Sequence, residues 1–318
     1  MRVMSSIVEA IGNTPLLQIS RITQSLPGRI LLKLDYLNPG FSKKDRAALR
    51  IIDEAERLGS LRPGQTVVEM TSGNMGTGLA IVCAVRGYSF VAVMSRGCSS
   101  ERATMMRALG AEVELVDQAP GSPPGQVSGE DLRLVESRAQ QVARERKAFR
   151  ADQFGRDGNW KAHAGSTGPE ILRQAGHIDA FCDFVGSGGT FRGCAQAFRA
   201  AIPEIRCYVV EPAGAAVLAG QSLRRPNHRL QGGGYSIPDL AFLRETTVDG
   251  YLQVTDEDAM VCARRLAAEE GVFAGFSTGA NVAAALKLLQ TEHQGGTVVT
   301  MACDSGLKYL STDLWLQG

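Results

Sequence analysis

The chain is poor in the features that mark several large protein classes. Aromatic residues fill 6% of its 318 positions, with two tryptophans, and histidine occurs four times. His163, His177, His228 and His293 are dispersed, so no histidine-based metal cluster or serine-histidine-aspartate constellation forms around them. His177 and His293 sit in polar contexts and are expected at the surface. The seven cysteines are odd in number and none has Cys-x-x-Cys spacing. That argues against a disulfide framework and against a zinc site. Cys83, Cys182, Cys194 and Cys207 fall in apolar patterns and read as small core residues of a reducing, cytoplasmic setting. The apolar stretch around 78–85 is far too short to cross a bilayer. The opening Met-Arg-Val-Met-Ser-Ser-Ile lacks an apolar region of leader length. A net charge of +1, with both signs mixed, excludes recognition of nucleic acid or an anionic membrane by bulk charge. No internal repeat or low-complexity tract is present.

What is present is a regular alternation. Hydrophobic residues make up 44% and charged ones 21%, enough for a substantial core. Strands are expected at 30–36, 66–70, 89–94, 112–116, 180–185, 205–211 and 297–301. Helices are expected at 45–58, 75–86, 99–109, 131–146, 159–174, 191–201, 256–270 and 277–290. The rhythm predicts an α/β protein of two domains, each a mostly parallel twisted sheet flanked by helices. The boundary is placed between 157 and 158, giving domains 1–157 and 158–318. The Pro- and Gly-rich segment 118–130 is either a mobile lid or an exposed connection. The charged helix at 131–146 reads as a solvated face. Open α/β sheets bind ligands beyond the carboxyl ends of their strands, so the cleft between the domains is the expected site.

Three loops at such ends carry chemistry. Gly186-Ser-Gly-Gly-Thr190 follows a strand and opens a helix, which suits a phosphate or is an ordinary tight turn. Thr71-Ser-Gly-Asn-Met-Gly76 concentrates donors, as a carboxylate cradle or a helix-capping cluster would. Ser305 follows the last strand, where a hydroxyl meets a polar ring atom or caps a turn. Asn38-Pro-Gly-Phe-Ser-Lys-Lys-Asp-Arg46 adds lysines at a helix start, and a desolvated lysine forms Schiff bases with carbonyls. A lysine, a phosphate cradle and a carboxylate cradle are the needs of a pyridoxal-phosphate enzyme acting on an amino acid.

Together with Gly12-Asn-Thr-Pro-Leu16, Asp152-Gln-Phe154, Thr167-Gly-Pro-Glu-Ile171, Gly275-Phe-Ser-Thr-Gly279 and Asp304-Ser-Gly-Leu-Lys-Tyr-Leu-Ser-Thr312, these segments resemble the cysteine synthase and cystathionine β-synthase family. These are fold type II (tryptophan synthase β-like) pyridoxal-phosphate enzymes. The resemblance implies that Lys44, rather than Lys43, is the catalytic lysine and carries pyridoxal 5'-phosphate. It implies that Asn74 faces the ring hydroxyl, that Gly186, Ser187, Gly188, Gly189 and Thr190 hold the phosphate, and that Ser305 meets the pyridine nitrogen. Thr71, Ser72, Asn74, Met75, Gln153 and Gly232 are the implied substrate contacts. Residues about 14–36 are expected to pair with the second domain.

The implied reaction is β-replacement on an O-activated L-serine through an aminoacrylate, foremost cysteine synthase on O-acetylserine and sulfide. Cystathionine β-synthase-like, O-phosphoserine-dependent and cyanoalanine synthase-like reactions are alternatives, with a serine/threonine dehydratase or a non-catalytic partner-binding paralogue behind them. The resemblance also implies a cytoplasmic homodimer in amino-acid biosynthesis, a serine acetyltransferase C-terminal peptide as a candidate partner, and no metal. Gln231-Gly-Gly-Gly-Tyr-Ser-Ile-Pro238 departs from the family pattern on the substrate side, and Met75 stands where threonine is frequent. Arg224, Arg225 and Arg229 lie near that segment, as anion contacts or as exposed charges.

Overall fold

A computed structural model describes residues 3–316; the outermost positions of the two expected halves, 1–2 and 317–318, lie outside it. In chain order the first elements are β1 (Leu16–Ile19), β2 (Arg29–Lys33), α1 (Lys44–Arg57), β3 (Val67–Met70), α2 (Asn74–Arg86), β4 (Phe90–Ser95), α3 (Ser100–Ala108), β5 (Glu112–Val116), α4 (Gly129–Glu145) and β6 (Phe149–Arg150). There follow α5 (Gly158–Ala162), a π turn at His163–Thr167, α6 (Gly168–Ala175), β7 (Ala180–Phe184), α7 (Gly189–Ala201), β8 (Arg206–Pro212), α8 (Ala241–Arg244), β9 (Gly250–Val254), α9 (Asp256–Glu270), α10 (Phe276–Gln290) and β10 (Thr297–Met301).

The strands form a parallel four-stranded sheet, ordered β5-β4-β3-β6, and a six-stranded sheet, ordered β1-β2-β10-β7-β8-β9. In the second sheet the β1–β2 pair is antiparallel and the others run parallel. Alternate strand residues serve opposite faces. Val67, Phe90, Ala92 and Met94 pack under α1 and α2, while Val68, Met70, Val91 and Val93 pack under α4. Ile30 and Leu32 face α9 and α10, while Leu31 faces α6 and α7. Burial on both faces explains the unbroken apolar runs, and each fully buried Val, Leu, Ile or Phe contributes about 1.5–3 kcal/mol.

Several expectations need correction. The strand expected at 30–36 stops at Lys33, because buried Asp35 turns inward to accept from Thr14 Oγ1 at 2.7 Å and from Arg46 Nη2 at 2.9 Å. The helix expected at 159–174 is interrupted by the π turn. Helix α4 is not a solvated face throughout: Leu132, Val135, Ala139 and Val142 pack on the four-stranded sheet. His293 is half-buried and meets the Tyr208 hydroxyl at 2.9 Å, whereas His177 is exposed as expected. Strands β1, β6 and β9 escaped the pattern reading; each is short and lies at or beside a sheet edge, where the apolar alternation is weak.

The two sheets are joined by a buried ion network. Arg46 on α1 donates to Asp35 and reaches both Glu170 oxygens on α6 at 2.7 and 2.8 Å, and Lys33 on β2 meets Glu170 at 2.7 Å. Burial alone would raise the Glu170 pKa, but the Arg46 hydrogen bonds and charge bring it down to about 2. Removing one member strands the others, so Arg46→Met is expected to cost about 3–5 kcal/mol in chemical denaturation. Because the folded pKa of Glu170 lies below its ordinary 4.5, its stabilisation is present above pH 4.5 and lost as pH falls toward 2. Glu170→Gln should therefore flatten the acid limb of stability in that window, and an unchanged limb would contradict the assignment.

Candidate active site

Neighbouring lysines open α1 and part company. Lys43 points beneath the cleft, where its Nζ meets both Asp183 carboxylate oxygens at 2.7 and 2.8 Å. Burial disfavours its charge, but Asp183 more than restores it and raises its pKa. Lys44 Nζ points to the turn after β7 and donates to Ser187 Oγ at 3.3 Å. Burial, then the positive charge of Lys43, lowers the Lys44 pKa to about 8. Lys44 therefore yields a neutral, nucleophilic amine far more readily than an exposed lysine does. The ion pair of its neighbour contributes to that property.

Ser187 belongs to the glycine turn between β7 and α7. Gly188 has φ +85°, which favours glycine. A Cβ on Gly189 would collide with the Asn159 amide, and one on Gly186 would lie 2.9 Å from the Gly232 carbonyl oxygen. The backbone N–H groups of this turn and the start of the 13-residue α7 make an anion cradle. Asn159 Nδ2 donates to Ser187 Oγ at 2.9 Å, while its Oδ1 is buried without a hydrogen-bond partner. Thr190 Oγ1 lies 3.2 Å from His163 Nε2, whose ring also contacts Thr167 at 2.9 Å. Burial and the nearby charges of Arg46, Lys43 and Lys44 push the His163 pKa well down, so it serves as a neutral hydrogen-bonding ring. His163 lies in the π turn, a distortion often kept at functional sites.

The Thr71–Gly76 loop faces this cradle from the other sheet. Thr71 Oγ1 accepts from the N–H groups of Gly73 and Gly76, both at 2.9 Å, so its hydroxyl shapes the loop. Asn74 Nδ2 donates to Asp304 at 2.7 Å, and its Oδ1 accepts from Lys308 at 2.8 Å. Gly232 is close by: a Cβ there would lie 3.9 Å from Asn74 Nδ2. Gln153 is buried beside Met70, to whose carbonyl its side chain donates at 3.2 Å. Met75 packs its side chain in the core under β3, which leaves its backbone to face the loop. Ser305 is buried after β10; its hydroxyl accepts from Leu307 N–H at 3.2 Å, so it caps a turn whatever else it contacts.

The divergent segment closes over this loop. Tyr235 OH lies 3.0 Å from Ser72 Oγ, and buried Arg102 bridges the Ser72 carbonyl and the Gln231 side chain at 2.5 and 2.6 Å. Arg102 also sits 4.6 Å above the Tyr309 ring. Beyond Tyr235 lies a cleft of about 830 Å³ whose walls include Met70, Asp152, Phe154 and residues of the 118–130 loop. That loop is thus a cleft wall, held by Gln118 donating to the carbonyls of Pro123 and Gln126. Arg224, Arg225 and Arg229 are exposed, with Arg225 and Arg229 paired to Asp256 and Asp313.

A family model described as pyridoxal-phosphate dependent enzyme matches residues 7–304. The chain belongs to this family. It is 41% identical to cysteine synthase 3 of Caenorhabditis elegans over 96% of this chain and 88% of that protein. It is 38% identical to O-ureido-L-serine synthase of Streptomyces lavendulae over 99% and 94%. The crystal structure of O-acetylserine dependent cystathionine β-synthase from Helicobacter pylori superposes with a TM-score of 0.90 at 30% identity, covering 99% of this chain and all (100%) of that one. The fold is accordingly the α/β fold type II architecture of these enzymes.

The residues present fit pyridoxal phosphate. A glycine cradle with backbone donors and little room for a Cβ suits the phosphate, and a buried amine lies beside it. The motif reading passed over His163, Asn159, Arg102, Lys308 and Tyr235. His163 and Asn159 sit in what reads as plain helix, and Lys308 lies inside a motif whose serine drew the attention. Among the described residues no cluster of metal-ligating side chains occurs.

Borohydride reduction of the cofactor-loaded protein followed by peptide mapping is expected to label Lys44 and not Lys43. Lys43→Met should keep the label while losing about 3–5 kcal/mol of stability, because it strands Asp183. Label on Lys43 would reverse the assignment.

Proposed function

We propose that this chain catalyses β-replacement on an O-activated L-serine, foremost as a cysteine synthase using O-acetylserine and sulfide. The observation that carries the reading is the Lys44 amine beside Ser187 of the glycine cradle, with Asn74 and Ser305 on the facing strand ends. In this reading Lys44 holds the cofactor, Gly186 to Thr190 its phosphate, Asn74 its ring hydroxyl and Ser305 its pyridine nitrogen. When bound, the cofactor withdraws electrons from the substrate Cα and so makes loss of its proton and of the Cβ substituent feasible.

The remaining work falls to the chain. Thr71, Ser72, Gln153 and the backbones of Asn74 and Met75 hold the substrate carboxylate, with Gly232 leaving room beside them. Lys44, about half neutral at pH 8, accepts the Cα proton and later returns it. The Tyr235–Ser72 contact keeps the carboxylate loop against the second sheet and excludes water. Similarity to a cysteine synthase supports the sulfide reading. Structural likeness to the O-acetylserine dependent cystathionine β-synthase supports a second one, in which a nucleophile of amino-acid size adds at Cβ as in cystathionine formation.

The same reading includes a cytoplasmic homodimer, the cleft as the seat of a serine acetyltransferase C-terminal peptide, and no nucleic-acid or membrane partner. No helix among the described residues is long and apolar enough to cross a membrane. It divides the chain at 157/158, with β1 and β2 contributed to the second half; the membership of the six-stranded sheet supports this.

Incubation with O-acetylserine and sulfide should yield cysteine by mass, and a panel of other donors and thiols ranks the alternatives. No product from any activated serine would sink the reading. Tyr235→Phe removes the hydroxyl that meets Ser72. It is expected to raise the donor KM by roughly fivefold with little change in kcat, since one hydrogen bond is worth about 1 kcal/mol. An unchanged KM would mean that the contact plays no part in binding.

A further inference from the structure

Lys308 is fully buried in the turn after β10. Its ammonium carries donors only, so the Asn74 atom it meets at 2.8 Å is the amide oxygen. Asp304 carries acceptors, so the atom it meets at 2.7 Å is the amide nitrogen. The two partners fix which way the amide faces, and they leave one Nδ2 hydrogen unassigned. Asn74 is also the one of the three that is partly exposed; Asp304 and Lys308 are fully buried.

The charges around this trio explain why a cation is needed. Asp304 Oδ2 accepts from Tyr309 OH at 2.5 Å as well as from Asn74. Asp304 Oδ1 and Asp45 Oδ1 are buried without hydrogen-bond partners. Asp45 lies within electrostatic reach of Lys308 and of Arg46, and Arg46 is already paired with Asp35 and Glu170; Arg102 is the other cation near Lys308. Without Lys308 the neighbourhood would hold two buried carboxylates against one guanidinium not already paired with a carboxylate. An anionic oxygen beside Asn74 would then be disfavoured.

We propose that Lys308 is a positioning residue for the cofactor: it pins the Asn74 amide oxygen so that the free amide hydrogen donates to the ring oxygen, and its charge keeps that oxygen an acceptor. This rests on the reading that Asn74 faces the ring hydroxyl. Lys308 does not itself touch cofactor or substrate. Its effect passes through Asn74, so removing either residue should do most of what removing both does.

The test uses cofactor-loaded enzyme and two readouts other than turnover, the visible absorption band and the cofactor dissociation constant. Lys308→Met is expected to move absorption from the visible band toward the near-ultraviolet band of a protonated ring hydroxyl. It should also weaken cofactor binding about tenfold, the scale of a lost hydrogen bond to a charged group. Lys308→Arg should restore the parent spectrum. Asn74→Ala should give the same spectral change, and Asn74→Ala/Lys308→Met little more. Should Lys308→Met fail to fold, Asp45→Asn/Lys308→Met removes a stranded carboxylate; with local charge again balanced it is expected to keep the loss of cofactor affinity that follows from the unpinned amide and to show a smaller spectral shift. A parent-like spectrum and affinity in the folded variant, single or double, overturns the proposal, and so does full additivity with Asn74→Ala. If Asn74→Ala itself leaves the spectrum unchanged, the reading of Asn74 falls, and this inference with it. A change in Asn74→Ala without one in Lys308→Met removes the inference alone.

Discussion

The parallel pairing of β2 with β10 is the constraint on which the site depends. Lys33 stands opposite Met301 at the end of that ladder, so the residues that follow the two strands share one space. Ser42 bridges Asp304 there, and Ser305 N–H donates to the Phe41 carbonyl. These strands lie more than 260 residues apart in sequence, at 29–33 and 297–301. Their pairing brings the reactive lysine, at the start of α1, to the serine and aspartate after β10. Helix α1 then leaves the six-stranded sheet to pack on the four-stranded one. The lysine thus stands at the junction of the two sheets, and the Arg46 network holds that junction closed.

Charge at the junction is arranged in separate layers. Lys43 is neutralised by Asp183 below the cleft, while Lys44, one residue on, has a hydroxyl for a partner. Two adjacent lysines cannot both be cheaply charged when buried. Pairing one with a carboxylate assigns the proton to it and leaves the other amine free for chemistry. Asp304 and Lys308 repeat the arrangement on the far side, with the Asn74 amide between a carboxylate and an ammonium. Asn74, which would touch the cofactor in the proposed reading, is thus oriented by charges on both sides.

Local pattern carried much of this into the sequence, and its limits are physical. The buried parallel strands β3, β4, β7, β8 and β10 read as apolar runs because both faces are covered, and glycine turns at their carboxyl ends mark where ligands go. The stretches around Lys44, Thr71 to Gly76, Gly186 to Thr190 and Ser305 were therefore visible as candidate sites. Contacts across long separations were not. Tyr235 with Ser72, Arg102 with Gln231 and Lys308 with Asn74 join residues 129–234 positions apart, and no periodicity encodes such meetings. The strand end at Lys33 was misplaced for the same reason, since Asp35 turns inward toward a partner, Arg46, that a strand pattern cannot reveal.

In the proposed reading, selectivity falls to the segment that departs from the family pattern. Lysine, phosphate cradle and ring contacts handle what every substrate of such an enzyme shares. In that reading the 231–238 segment would handle what differs, because Tyr235 lies between Ser72 and the open cleft. Gly232 and Gly233 allow its backbone to approach the phosphate turn, where a Cβ on Gly186 would lie 2.9 Å from Gly232 O. Tyr235 then spans from that backbone to Ser72 and forms a cleft wall with Phe154, whose ring centroid is 6.3 Å away. A tyrosine there narrows the entry with an aromatic edge and offers a hydroxyl to the loop that grips the substrate. In the proposed reading, loop closure and admission of the second substrate would thereby be coupled through one side chain, and nucleophile choice would be a property of this segment more than of Lys44.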